Sequence, residues 1–446
     1  MQQLFILALA TGAAPPAAAG EQEQIFEQVA GARKVLVTGA AGFIGFHTVA
    51  ALHEQGDAVI GLDSFNHYYD VRLKFTRAEL LRRLGVTPLF EGSVCDGLLL
   101  HRLLSTGVTH VIHLAAQAGV RYSLDHPLEY IEANVECFVT LLEAVRSYNS
   151  SIPITYASSS SVYGNNKKIP FSETDRVDDQ ASLYGATKKA DESIANVYHS
   201  LHKLKLTGLR FFTVYGPLGR PDMAYFSFTN DLLRRRQIIE YRQEDGTELE
   251  RDFTHVSDIV KGIIAASRRA SENEIFNLGN THPAKVSSLI RIIEQGLGVI
   301  ANVTQKPIAA GDVPVTYANV SHAHALLDFS PTVQLEDGLR GFLQWYAAYY
   351  NVALPSSMAP TPAEAEVLRR LYGINDAEEE TLKAEGAADG SPMTPTSLTH
   401  AAATALWGTG AVDGVEMLSS SLPAAIKKNG PAQASLQPSN DLVPPT

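Results

Sequence analysis

The sequence predicts an α/β fold, a doubly wound parallel sheet with a smaller C-terminal domain, and three observations carry that prediction. Short β-branched runs recur along the chain, beginning with KVLVTG at Lys34 and AVIGLD at Ala58. Stretches with helical spacing, such as FIGFHTVAALHEQG and NVECFVTLLEAVRSY, separate them. Strands spaced by whole helices pair through crossovers, which places them side by side in parallel with helices on both faces.

Taken in order, KVLVTG is a strand, the segment from Phe43 is a helix closed by Gly56, and AVIGLD is the next strand. VTHVIHLAA, IPITYASSS and LKLTGLRFF supply further strands of the same sheet. Residues 33–212 form this first domain. After Thr213 the alternation loosens, and Ile238 to Phe253 reads as strand, turn and strand around Asp245-Gly246. Residues 213–350 therefore make a mainly separate smaller domain, with some segments returning to the first. Residues 351–446 read as a low-complexity tail rich in Ala, Ser, Thr, Pro and Gly, mostly disordered beyond a helix at Ala363 to Tyr372.

With 446 residues, 45% of them hydrophobic, the chain can bury a large core. The net charge of −12 provides no diffuse positive field, so nucleic acid is not an expected partner, and an anionic ligand must be met by local basic groups. No integral membrane segment is expected, because the apolar stretch Leu4 to Ala10 is far shorter than the roughly 20 residues that span a bilayer. Residues 1–32 read as a disordered extension or weak targeting segment. Their lack of a basic start favours the cytoplasm without deciding against a secretory or organellar address. Cys95 and Cys137 have no metal-like spacing and are expected to be two buried, reduced thiols; no metal is expected.

Gly39, Gly42 and Gly45 lie between the first strand and its helix, where backbone must approach a pyrophosphate closely and helix N–H groups face it. Asp63 ends the second strand, where a carboxylate accepts hydrogen bonds from ribose hydroxyls and repels a 2′-phosphate. With no Arg or Lys from Ser64 to Val71, the expected cofactor is NAD rather than NADP.

Tyr184 and Lys188 share a helix face four residues apart in LYGATKKADE. A nearby ammonium favours a phenolate, which suits Tyr184 to act as a general base. Such a pair also arises by chance in many helices. Its weight comes from ASSSSVYG, where an apolar strand runs out into Ser158 to Ser161 at the carboxyl edge of the sheet, the edge at which ligands bind in such folds.

Gly-Ala-Ala-Gly-Phe-Ile-Gly, the serine-rich run before Val162-Tyr163-Gly164, and Tyr184 with Lys188 resemble the extended short-chain dehydrogenase/reductase family, over about Lys34 to Tyr350. The resemblance implies a Rossmann fold, NAD, a UDP-sugar substrate and a catalytic Ser, Tyr, Lys triad. The matching serine is Ser159, four residues before Tyr163, although a run of serines leaves the register among Ser158, Ser159 and Ser160 open. It also implies that Phe43, Ile44, Asp96, Ala115 and Ala116 line the cofactor with the glycines, that Ser160 touches substrate with Ser159, and that a homodimer forms. The dimer contact would come from the helix Glu132 to Tyr148 and the helix carrying Tyr184.

Dehydratases and decarboxylases of that family usually carry an acidic group just before VYG, where this chain has Ser160 and Ser161. Serine exchanges protons poorly in the working range, so epimerisation at C4 is expected over elimination or decarboxylation. A non-catalytic NAD-binding regulator is the reading outside enzymes, and the presence of both Tyr184 and Lys188 argues against it. FFTVYGPLGRPDMA, HLAAQAGVRYSL and FNHYYDVRLK are similar to the UDP-glucuronate 4-epimerases of the family. That resemblance implies that Thr213 and Arg220 meet the sugar carboxylate, Arg220 with the two-pronged geometry of a guanidinium. It places Arg251 at the diphosphate and Asp312 at the uridine end. In many relatives an arginine precedes the Gly-Asp pair, but here Ile308-Ala309-Ala310 precede Gly311-Asp312, which leaves those contacts in doubt. Lys306 is a possible substitute, though it reads better as a surface lysine.

Overall fold

The computed structural model describes residues 33–372, apart from 87, 270–272 and 310. The expectations for residues 1–32 and for the tail beyond Tyr372 lie outside the described residues.

The main sheet has seven strands: β1 (Lys34–Thr38), β2 (Ala58–Asp63), β3 (Leu89–Glu91), β4 (His110–His113), β5 (Ile154–Ser159), β6 (Leu206–Phe211) and β10 (Asn273–Leu278). Their spatial order is β10-β6-β5-β4-β1-β2-β3, every pairing parallel. Successive side chains of β1 point to opposite faces, and both faces are covered. Val35 and Val37 belong to one core with Phe46, Val49 and Leu52 of helix α1 (Phe43–Glu54). Leu36 belongs to the other, with Leu100 of α2 (Gly97–Leu104) and Phe138 and Leu141 of α3 (Cys137–Asn149). Burial on both sides explains why the strands read as continuous apolar runs.

The chain runs outward from β1 to β3, then returns to the other side of β1 as β4 and continues to β6. The crevice between the carboxyl ends of β1 and β4 is thus the point where strand order reverses, and ligands of open α/β sheets bind at such a point.

The second region keeps the expected strand, turn and strand. The strands around Asp245-Gly246 exist, β8 (Ile238–Arg242) and β9 (Glu250–His255), and Gly246 turns between them at φ +84°. They do not form a hairpin. β8 pairs in parallel with β12 (Val303–Pro307), while β9 lies between β7 (Thr213–Tyr215) and β11 (Pro283–Lys285). Local pairing consists of one isolated bridge, Arg242 with Glu248, and a backbone bond from the N–H of Gln243 to the carbonyl of Thr247 at 2.9 Å. Long-range partners outcompete the turn because β9 carries buried Asp252, Phe253 and Thr254 into the core between the two sheets.

The folded unit also runs past Tyr350. A short turn at Ser356–Met358 and a helix at Pro362–Tyr372 follow, and Met358 and Leu368 join the main core. Residues 351–372 are therefore packed structure rather than tail. The expected helix at Ala363 to Tyr372 is present.

Cys95 and Cys137 are not free thiols: they form a disulfide, with Cα atoms 4.3 Å apart. Cys95 sits in the loop after β3 and Cys137 opens α3, after β4; parallel packing brings together two segments 42 residues apart that no local spacing relates.

Candidate active site

Gly39 follows β1 with φ +72°, and a Cβ there would lie 2.7 Å from the backbone nitrogen of Ala115. A Cβ on Gly45 would lie 1.9 Å from the carbonyl oxygen of Gly39. These two positions accept only glycine, and so the backbone forms a cradle at the N-terminus of α1. Asp63 ends β2 beside it. Its carboxylate accepts from the backbone N–H of Ala41 at 3.0 Å and of Phe65 at 2.8 Å. It also accepts from Lys74 Nζ at 3.2 Å, a buried ion pair just beyond the Ser64 to Val71 window. The Lys74 charge is balanced there, and Oδ2, which accepts from Ala41, retains lone-pair capacity for a ribose hydroxyl, while Oδ1 already accepts from Phe65 and Lys74. Arg77, fully buried, ties the same corner to the second region by donating to the carbonyls of Ala41, Leu218 and Gly219. Both residues belong to an ordinary-looking basic helix, so sequence reading passed over them.

One cavity of about 880 Å³ contains most of the anticipated residues. Gly39, Gly42, Phe43, Ile44, Gly45, Asp63, Ala115 and Ala116 line one part, Ser159, Ser160, Tyr184, Lys188, Thr213 and Arg220 another, and Arg251 and Asp312 a third. Asp96 is not among the lining residues; its carboxylate accepts from the N–H of Leu99 at 3.0 Å and caps α2, while Gly92, Ser93 and Val94 reach the cavity.

Ser158, Ser159 and Ser160 all line the cavity, and their hydrogen bonds differ. Ser158 donates to Glu192 Oε1 at 2.7 Å, within a buried network where Arg210 Nε and Nη2 reach the two oxygens of Glu192 at 2.8 and 2.9 Å. Arg210 also donates to the Tyr163 hydroxyl, which donates to Asn277 at 2.6 Å. This pairing outweighs burial and holds the Glu192 carboxyl low and the Arg210 guanidinium high. Ser159 caps the following turn by accepting from the N–H of Ser161 at 3.1 Å, which leaves its own O–H to donate into the cavity it lines.

Tyr184 and Lys188 lie in the first turns of helix α4 (Leu183–His202), whose N-cap Ser182 accepts from the N–H of Gly185 at 3.1 Å. The loop after β4 is held to this helix by buried Asn134, which accepts from the N–H of Gln117 at 2.8 Å and donates to Thr187 at 3.0 Å. Asn134 lies in a π-helical stretch, Ile131–Glu136, within the expected Glu132 to Tyr148 helix. That one-residue widening is a frequent mark of functional sites.

Arg220 does not point freely into the cavity. Its Nε and Nη2 edge grips Asp222, at 3.0 Å to Oδ1 and 2.5 Å to Oδ2, and Asp222 also accepts from the Tyr68 hydroxyl at 3.1 Å. Burial opposes both charges, but the pairing prevails, raising the Arg220 guanidinium and lowering the Asp222 carboxyl. Thr213 begins β7 within the same cavity.

At the third part, Arg251 Nη1 donates to the carbonyls of Glu250 and Pro314. Asp312 is paired with Arg121 at 2.7 Å, and the Arg121 guanidinium lies over the Tyr241 ring at 4.4 Å. Arg121 is thus the basic group beside Gly311-Asp312. Lys306 is exposed and lies outside the cavity lining. Arg121 stands within the HLAAQAGVRYSL string, where its distance from Asp312 in sequence hid the connection.

Residues 35–279 match the NAD dependent epimerase/dehydratase family. The chain belongs to that family. Among curated relatives, it is 50% identical over 333 residues to UDP-glucuronate 4-epimerase 4 of Arabidopsis thaliana, covering 71% of this chain and 76% of that protein. It is 41% identical over 338 residues to protein CapI of Staphylococcus aureus, covering 71% and 99%. Among solved structures, UDP-glucuronic acid 4-epimerase from Bacillus cereus, in complex with UDP-glucuronic acid and NAD, aligns with a TM-score of 0.66 at 33% identity, over 71% of this chain and 100% of that one. The Rossmann-like sheet expected from the sequence is thus shared with NAD-dependent epimerases, and this resemblance agrees with the one read from the motifs.

Proposed function

We propose that this chain interconverts UDP-glucuronate and UDP-galacturonate at C4 of the sugar, with NAD as resident cofactor. The observation that carries the reading is one cavity lined by Tyr184, Lys188 and Ser159 together with Thr213 and Arg220, which suits a base acting beside a cation for a carboxylate.

The glycine cradle and Asp63 fit NAD, which when bound supplies the acceptor for the C4 hydride and its return to the opposite face. The protein's own residues do the rest. Tyr184 takes the proton of the 4-hydroxyl, Lys188 favours its phenolate, and Ser159 donates a hydrogen bond to the sugar hydroxyl. Arg251 and Arg121 meet the diphosphate in a protein whose net charge would otherwise repel it. Oxidation at C4 of a uronate makes a β-keto acid prone to lose carbon dioxide. Arg220 and Thr213 hold the carboxylate and so oppose that loss, with Asp222 keeping the guanidinium in place.

The purified protein should be incubated with UDP-glucuronate without added reductant, and the nucleotide sugars separated with mass detection. UDP-galacturonate of unchanged mass is the expected product. A product lighter by carbon dioxide would make the chain a decarboxylase, and turnover of UDP-galactose alone would remove Arg220 from the substrate site.

A homodimer belongs to the same proposal. Leu128, Ile131, Val197 and Leu201, on the segment leading into α3 and on α4, are 80%, 45%, 50% and 70% exposed. A second copy covering them would give the two-helices-per-subunit contact expected from the sequence. Light scattering on the native chain and on Leu201→Glu tests this: a dimer that becomes a monomer is expected, and a native monomer contradicts it.

A further inference from the structure

Asp191 has no part in the function proposed above, yet it touches one of its residues. Its Oδ2 lies 3.1 Å from Lys188 Nζ, one helical turn away, and both side chains are only 3% exposed. Its Oδ1 is buried without a hydrogen-bond partner among the described residues. A buried carboxylate with one oxygen on an ammonium and the other unsatisfied is costly to keep in a core, and a purely structural role offers nothing that offsets that cost.

The surroundings leave Asp191 to answer the Lys188 charge. Glu192, next along the helix, is engaged by Arg210 of β6 and Ser158 of β5. His113 of β4 is kept neutral, its pKa lowered to about 3 by burial and by the Lys188 charge. Tyr156 of β5 keeps its proton, its pKa raised far by burial and by Glu192 and Asp191. Asp191 itself is pushed up to about 6 by burial, against the pull of Lys188 and with a smaller push from Glu192. Its charge is therefore present above that pH and lost below it.

We propose that Asp191 is a positioning residue that holds and partly neutralises the Lys188 ammonium, and thereby sets how much help Lys188 gives Tyr184 in losing its proton. It rests on Tyr184 being the base. An ionised Asp191 draws Lys188 toward itself and screens its charge; a neutral one leaves the full positive charge for the phenol. The consequence is a rate profile whose acid limb lies at higher pH than Tyr184 and Lys188 alone would give.

The test measures kcat against pH for the native chain, Asp191→Asn and Asp191→Glu, all with NAD bound. Between about pH 6, above which native Asp191 is charged, and the native acid limb, Asp191→Asn should raise kcat up to roughly tenfold, moving the limb down by up to about one unit while KM on the plateau stays the same; below that pH the two profiles should converge. Asp191→Glu, which restores the charge, should bring the limb back toward its native position. Asp191→Ser, smaller and neutral, should act like Asn and serves if Asn does not fold. An independent readout needs no substrate: the near-ultraviolet phenolate absorbance, taken as the difference between Asp191→Asn and the same variant with Tyr184→Phe, should titrate at lower pH than in the native background. An acid limb and a phenolate titration that stay put, or move up, overturn the proposal. If the native chain does not turn over UDP-glucuronate, the functional reading fails, and the phenolate titration still decides the role of Asp191.

Discussion

Arg220 and Asp222 grip each other through two hydrogen bonds inside the cavity that also holds Tyr184. In the proposed reaction the arginine would meet a substrate carboxylate with its guanidinium already oriented, so little of its rotational freedom would remain to be lost on binding.

Replacing Arg220 by Ala should remove a charge-assisted contact of about 2–3 kcal/mol, which is roughly 30- to 150-fold in kcat/KM for UDP-glucuronate. It should also release a UDP-4-keto-pentose, detected by mass as the decarboxylated product. A variant that keeps full selectivity and releases none would mean that Arg220 does not restrain the carboxylate.

The Arg210 and Glu192 pair is a structural device with a catalytic reach, since it fixes Ser158 and through it the strand end that presents Ser159. Glu192→Ala leaves Arg210 buried without its partner and should destabilise the protein by about 3–5 kcal/mol. Chemical denaturation measures this, and a loss under about 1 kcal/mol would contradict the network's role.

The disulfide closes a loop of 42 residues beside the cavity that Cys137 lines. Loop-closure entropy puts its contribution at about 4 kcal/mol as an upper figure, and Cys95→Ser should lower the denaturation midpoint accordingly. Alkylation before and after reduction checks the bond itself: two thiols should react only after reduction.

Arg121, beside Asp312, is expected to act on the diphosphate end and not on the chemistry. Arg121→Ala should raise KM by roughly tenfold, about 1–2 kcal/mol, with kcat nearly unchanged. A fall in kcat at constant KM would place Arg121 elsewhere in the mechanism.

What the sequence made legible was whatever depends on local pattern. The strand-to-helix glycines, Asp63 at a strand end, and Tyr184 four residues before Lys188 are all short-range features, and one cavity gathers them. What escaped depends on long-range contact. Arg121 meets Asp312 across 191 residues, and Cys95 meets Cys137 across 42, and neither partner has a local signature. The turn at Gly246 was readable, but the separate sheets entered by β8 and β9 were not, because pairing partners are chosen by the core. Asp96, expected as a cofactor contact, caps a helix with one carboxylate oxygen, a role that an Asp before a helix also serves and that its sequence position alone does not separate from cofactor binding.

The most direct measurement follows the hydrogen at C4. UDP-glucuronate deuterated at that carbon should yield UDP-galacturonate that retains the label, in ordinary water, because the hydrogen removed from C4 is the one put back. Tyr184→Phe should form this product at least about a hundredfold more slowly. Loss of the label to solvent, or full activity without the Tyr184 hydroxyl, would contradict epimerisation through a 4-keto sugar with Tyr184 as base.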